Sequence, residues 1–535
     1  MNDSKADTSA PPKDKPTKTP SRKVLILRYS LFILAGLLSL VAIFYVVENV
    51  RGSRAWKAAK AKAAAMNESL DMASIIPTPI ADEQNAATAP IFAIVFDYAE
   101  KAEDGSRPHR HPDRLKKLHD DLMIRRSAEN MPDFSSFRRG QRSDLTEWAE
   151  YFQTGLKPRP FNISSNASTP AEIVLSALEE MSPRVEEMVT AARRPAAVFP
   201  IAYEDHFAAL LPHLSPIRAA TRILNLRAQA KLELGETVSA HQDTISSLRL
   251  ARLTESEPYL ISGLVQIAVL KSSLQTLWEG LERHAWNDAQ LIEFEQALAR
   301  INLAQQFHHA MRGERNAGLL AFDAGEKNLR YMFTLFGASD RFKMTALRMQ
   351  PSGWIQSSKA ALVEAHLELI MPVVNPASIR FDPVLASAAS DTVDERVREH
   401  RIREWMFAMI FPAIGKALKR YALTQSYVNQ ARVACALERA RLQSSATKSA
   451  RSYPANLSEV MKLFPDGIPG GPCTGKPLRY GVNTDGSYYL YSEGWNLKDD
   501  GGTVSLREDQ RLIDTEADCV WSFPDGKKPA ASAGK

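Results

Sequence analysis

Asn496, Asp499, Asp500, Gly501 and Gly502 stand close together, directly after the aromatic run SYYLYS that ends at Ser492. Carboxylates and an amide are hard oxygen donors, and paired glycines let a loop curl tightly. Calcium takes about six to eight oxygens and tolerates irregular geometry, so these residue types suit a calcium cage. They carry no fixed ligand spacing of the EF-hand kind, and they suit a solvated turn equally well.

Other chemically capable residues are scattered. Cys473 and Cys519 can pair in an oxidising compartment or remain two small buried thiols; a bridge between them closes a loop worth about 4 kcal/mol in the chain-entropy model. Cys435 falls on a helical seam and reads as core filling. His308 and His309 precede Glu314, but adjacent helical side chains diverge by about 100°, which suits surface positions better than a shared metal. His109 and His111 flank Arg110 in a proline-rich loop. Catalytic signatures such as GxSxG, HExxH, SxxK or a glycine-rich phosphate loop have no supporting context, so no catalytic or cofactor-binding residue is assigned.

The chain of 535 residues is long enough for several domains. Its 67 basic and 62 acidic side chains nearly balance, which argues against a nucleic-acid partner. Tyr29 to Val47 contains no charge and matches the roughly 30 Å apolar core of a bilayer as a helix. It is longer than a signal-peptide core and lacks a small-x-small cleavage site, so it reads as an uncleaved single-pass anchor contacting membrane lipid. Lys5, Lys13, Lys15, Lys18, Arg22, Lys23 and Arg28 precede it, and Arg51, Arg54, Lys57, Lys60 and Lys62 follow. The bias favours a cytoplasmic N-terminus and an extracytoplasmic body.

Residues 1–23 read as a disordered tail and 24–50 as the transmembrane helix. Residues 51–167 form a juxtamembrane helix, a Pro/Ala linker and a mixed region. Helical periodicity dominates 168–345. There Ile217, Ala220, Leu224, Ala228 and Leu232 make one stripe, Gly235 ends the helix, and a second helix with Val238, Ile245 and Leu248 completes a tetratricopeptide-like hairpin. Pro258 reads as a first-turn residue of the next helix, and Asn287 with Gln290 as a capping box. After a mixed region at 346–401, residues 402–525 hold a long helix and a small head. Tyr421, Val428, Cys435 and Leu442 make the helix's buried seam. LRYGV, the turn NTDG and SYYLYS read as a β-hairpin, with CVWSF as a further strand, and 526–535 as a second tail. The expected fold is mainly α: one transmembrane helix, a helical bundle or short solenoid, and an α+β head.

That head resembles the globular part of the major pseudopilin of type II secretion, over about Val428 to Gly502. VACALERARLQ is similar to the family's helix end, Tyr453-Pro454 with Leu457 to its turn, and Pro472, Gly475, Pro477 and Tyr480 to its hairpin entry. Ser492, Gly494, Asn496 and Gly501-Gly502 are similar to its calcium loop. The resemblance implies calcium as cofactor, with Ser492, Asn496, Asp499, Asp500 and Asp514 as ligands. Asn496 stands where the family has Asp, SRKVLIL lacks the family's processing motif, and about 380 residues separate anchor from head. The overall layout also resembles that of uncharacterised membrane-anchored bacterial proteins.

Together these readings lead to an expectation of a protein of the bacterial inner membrane, with a structural or protein-interaction role in envelope or secretion assembly and an unidentified protein partner. The alternative is an envelope-anchored hydrolase whose site is built from residues distant in sequence.

Overall fold

Apolar and helix-forming residues run without a proline from Arg22 to Ala65, and the computed structural model makes them one helix, α1 (Arg22–Ala65). The structure describes residues 21–102, 106–124, 132, 136–154, 161–327, 349–400, 402–410, 414–446, 453–484, 486–505 and 517–522. At 1.5 Å per residue α1 extends about 66 Å. Its first half, through Val47, is largely exposed, touched by the body near its end at Phe44 and Tyr45, and is long and apolar enough to cross a membrane. Its second half buries Glu48, Gly52, Ala59 and Ala63. Those spacings of four and seven put small residues on one face, which is what lets another helix approach closely.

Short helices follow: α2 (Pro90–Val95), α3 (Pro112–Asp121), α4 (Leu145–Gln153), α5 (Pro170–Glu179) and α6 (Ser182–Ala191). The Pro/Ala stretch expected as a linker lies against the body. Asn85 exchanges hydrogen bonds with the main chain of Val198, and Ala86, Ala87 and Ala89 are buried.

The helical centre comprises α7 (Leu214–Glu233), α8 (Thr237–Arg252), α9 (Leu260–Glu282), α10 (Asp288–Ala299) and α11 (Leu303–Lys327). The α7 stripe is buried throughout, and Gly235 takes φ +77° directly after the helix. Ile245 and Leu248 of α8 are buried, but Val238, in the first turn, is 63% exposed. The Asn287–Gln290 capping box forms at the start of α10. Pro258 departs from its expected place: it precedes the Tyr259 N-cap, and Glu314 of α11 accepts from the Leu260 N–H instead. Helix α9 also passes on length and hydropathy for a membrane span, but most of it is buried as a core helix.

Next come α12 (Ser352–Glu364), the two-residue strands β1 (Val374–Asn375) and β2 (Arg380–Phe381), α13 (Pro383–Glu399), α14 (Trp405–Ile410) and α15 (Ile414–Ala446). Helix α12 docks along the second half of α1. Helix α15 buries Tyr421, Val428 and Cys435 fully and Leu442 partly, and it packs on α9, α10 and α11 as well as on the C-terminal sheet. That sheet is antiparallel in the order β3 (Arg479–Val482), β4 (Tyr488–Ser492), β5 (Cys519–Trp521), with Tyr480 opposite Leu490 and Leu490 opposite Trp521. The protein is therefore mainly helical, with a long apolar N-terminal helix and small antiparallel sheets toward the C-terminus. One hydrophobic core runs from the end of α1 to Trp521.

Candidate functional site

The loop after β4 is shaped by three glycines. Gly494 lies so close to the Ala517 carbonyl that a Cβ there would sit 2.1 Å from it. Gly501 and Gly502 take φ of +70° and +73°, a region L side chains avoid. The result is a loop folded over the entry to β5. There Asp518, only 5% exposed, accepts from the N–H groups of Asp500 (3.0 Å) and Gly502 (2.8 Å) through Oδ2. Its other oxygen, Oδ1, is buried without a hydrogen-bond partner. Burial, opposed by those two N–H groups and reinforced by the charges of Asp500 and Asp499, pushes the Asp518 carboxyl up to about 6.

The expected ligands divide. Asp500 stays in the loop and accepts from the Asn496 amide at 2.8 Å. Asp499 accepts from the Gly501 N–H and the Tyr491 hydroxyl, which hold its carboxyl below the usual range, and Arg479 stands 3.5 Å away. Ser492 departs from the set. Successive strand residues face opposite ways, so with Tyr491 toward the loop the Ser492 hydroxyl faces α15, 2.6 Å from Ser426 and 3.4 Å from Gln430. Asp514 lies outside the described residues. Sequence reading missed Asp518; its one local signal was an acid placed immediately before a buried strand.

An orphaned buried carboxylate oxygen beside two further carboxylates is a donor set for a hard cation. Among the described residues no three His, Cys, Asp or Glu side chains are arranged to hold a metal by themselves. Oxygen donors of this kind suit a hard cation such as calcium, which also accepts main-chain carbonyls and water, better than a transition metal.

Cys473, Cys519 and Cys435 are buried, and no disulfide joins Cys473 to Cys519. Burial, and for Cys473 the proximity of Cys519, raises the Cys473 thiol well above its ordinary value.

The histidine pair is half-buried rather than fully exposed. His308 Nε2 meets the Met371 and Val374 carbonyls at 3.0 and 2.9 Å, while His309 Nε2 meets the Ser256 carbonyl at 3.0 Å. Burial lowers both rings' basicity. The two rings fasten α11 to different segments. His109 contacts the Ile94 carbonyl at 2.6 Å and His111 pairs with Asp97 at 2.5 Å, which closes the loop after α2.

A groove of 390 Å³ runs between α13 and the start of α15. Val373, Ala389, Val393 and Leu418 supply buried apolar lining, Asp391 and Asp394 line it from α13, and Lys416 and Lys419 from α15. Trp495, from the carboxylate loop, also lines it, with Lys419 Nζ 5.7 Å from its ring centre. A second cavity of 400 Å³, lined by α6, α7, α8 and Glu293 of α10, is polar, but its acids are paired: Asp243 with Arg227 (2.6 and 2.8 Å) and Lys231 (2.8 Å), Glu186 with Arg227 (2.8 Å) and Glu293 with Arg249 (3.1 Å). Searches against protein-family models, curated proteins and solved structures returned no match.

Proposed function

We propose that this is a single-pass protein of the bacterial inner membrane, with its N-terminus cytoplasmic and its body outside, that serves as an interaction scaffold in envelope or secretion assembly. The observation that carries this reading is α1: a largely exposed apolar half, uncharged from Tyr29 to Val47, continues without interruption into a half built into the body. Such a helix holds the body at the bilayer without a flexible linker. Alkaline phosphatase fused at the C-terminus is expected to be active, and a fluorescent protein that matures only in the cytoplasm is expected to stay dark. The reverse pattern would overturn the topology.

On this reading the partner is a protein segment seated in the α13–α15 groove, whose apolar floor and oppositely charged rims suit an amphipathic helix or extended peptide. A photo-crosslinker at Ala386, which also lines the groove, is expected to capture one protein in cells. Lys416→Glu with Lys419→Glu is expected to abolish that capture.

The long helix carrying an antiparallel hairpin and third strand supports a pseudopilin-like head, and Asp518 supports calcium in its loop. The loop would then couple ion binding to the groove through Trp495. Because α15 belongs to both body and head, the test uses the whole chain. Millimolar calcium, the range of extracellular sites, is expected to raise the midpoint of thermal unfolding relative to chelator. Asp518→Asn is expected to erase the difference; equal midpoints for the native chain would remove calcium from the proposal.

The same residue sets a pH dependence. The folded carboxyl at about 6 lies above its ordinary 3.8, so the folded state binds the extra proton between these values. Stability without calcium is therefore expected to fall as pH rises from about 4 to 6, and calcium is expected to remove that loss. Midpoints measured across this window, with Asp518→Asn as control, decide it.

A further inference from the structure

The position of the body relative to the apolar half of α1 is set by named contacts. The Tyr45 hydroxyl donates to the Met349 carbonyl. Trp354 lies edge-on to Phe44, with ring centres 6.3 Å apart, and its indole N–H donates to Glu48 at 3.0 Å. Arg403 donates to the same Glu48 carboxylate at 3.0 Å, and Asn49 accepts from the Gly353 N–H at 2.9 Å. Phe44 and Tyr45 belong to the uncharged stretch that ends at Val47. Groups of the body that touch them stand at the depth where that stretch ends.

The side chains at this level are apolar or amphipathic. Met349 is 67% exposed and Ile402 is 68% exposed, values that a soluble surface rarely gives to neighbouring large apolar residues. Trp354 and Trp405 are half-buried, and each indole N–H is already bonded, Trp405 to Gln350 at 2.9 Å. Indole rings with an apolar face and a satisfied polar edge favour the zone between headgroups and acyl chains. Arg51 and Arg54 are exposed one to two turns beyond Val47, about 6 and 10 Å further along the axis, where lipid phosphates begin.

We propose that Met349, Trp354, Ile402 and Trp405 form a collar around the exit of α1 that seats in the headgroup boundary of the outer leaflet, with Arg51 and Arg54 on lipid phosphates. The collar rests on the reading of α1 as a membrane span. Lipid is its occupant because the contacts with Phe44 and Tyr45 leave these residues at the level of the bilayer surface. It fixes the tilt of the body and so the direction in which the α13–α15 groove opens.

The test uses the full chain reconstituted in phosphatidylethanolamine/phosphatidylglycerol vesicles. Single cysteines are introduced as Met349→Cys, Ile402→Cys, Leu37→Cys within the span, and Val238→Cys on α8. Each is labelled with an environment-sensitive fluorophore; the three native cysteines are buried and do not react in the folded protein. Lipids carrying a quencher near the glycerol are expected to lower emission at positions 349 and 402 by on the order of twofold, and lipids carrying one deep in the acyl chain to lower it at position 37, with position 238 unchanged by either. Quenching at 37 with none at 349 and 402 overturns the collar and leaves the span. No quenching at 37 overturns the span, and the collar with it. Self-quenching between chains at 349 and 402 without quenching by lipid assigns the patch to a second copy and overturns lipid as its occupant.

Discussion

Replacing Glu438 by Ala is expected to destabilise the protein by roughly 3–5 kcal/mol, the range for breaking one side of a buried ion pair. Glu438 is 2% exposed and sits on α15 where body and head meet. It accepts from Arg441 at 2.9 and 2.5 Å, from the Tyr453 hydroxyl at 2.9 Å and pairs with His284 at 3.0 Å. His284 belongs to the turn between α9 and α10, and Tyr453 opens the head, so one carboxylate fastens three segments. Burial alone would raise its carboxyl, but the hydrogen bonds from Arg441 and His284 prevail and hold it at about 2. A folded value below the ordinary 4.5 means that ionised Glu438 contributes stability above about pH 4.5, roughly 3 kcal/mol, and loses it as pH falls toward 2. Denaturant unfolding at pH 7 measures the first effect. Midpoints from pH 5 to 2 measure the second, which Glu438→Ala is expected to flatten. Glu438→Leu with Arg441→Leu is expected to recover much of the loss, because an apolar pair of similar volume removes the buried charge altogether. A single-variant loss below about 1 kcal/mol, the scale of an exposed ion pair, would show that the cluster is hydrated.

Gly353→Val is expected to separate α1 from the body. A Cβ at Gly353 would fall 2.1 Å from the Glu48 carbonyl, and one at Gly52 would fall 2.0 Å from the Gly353 carbonyl. Both obstacles are main chain and cannot swing aside. Overpacking costs roughly 1–3 kcal/mol where structure can shift. Here it also breaks the Asn49 contacts and displaces Trp354 from Glu48. The packed half of α1 carries Arg51, Arg54 and Lys57, which a rigid helix shields from trypsin. Release of 1–2 kcal/mol is expected to speed cleavage there by about 5- to 30-fold. Cleavage at the native rate would mean that the two helices tolerate a wider spacing. Farther along, Arg315, fully buried, and Arg312 hold Glu68 and bind the end of α1 to α11 separately, so the body itself is expected to stay folded.

What could be read from the residues was local. The apolar run to Val47, the stripe of α7, the Asn287–Gln290 box, Gly235 and the NTDG hairpin turn each depend on neighbours a few positions away, and each forms as expected. Asp518 could not be found this way, because its significance arises only when the glycine loop folds over it. The same applies to His308 and His309, whose carbonyl partners come from other segments, and to Ser492, whose facing depends on strand register against α15. Val238 kept helical periodicity but stays exposed in the first turn of α8.

The amino-acid sequence by itself determined several helix caps, which stripes are apolar, and that one N-terminal run suits a bilayer, since caps, periodicity and hydropathy act within about one or two turns of chain. Only the tertiary structure decided that this helix continues rigidly into the body, that α15 serves two sets of neighbours, and which acids share a loop. Those outcomes depend on partners far apart in the chain, whose close packing, desolvation and charge pairing exist only once the core has closed.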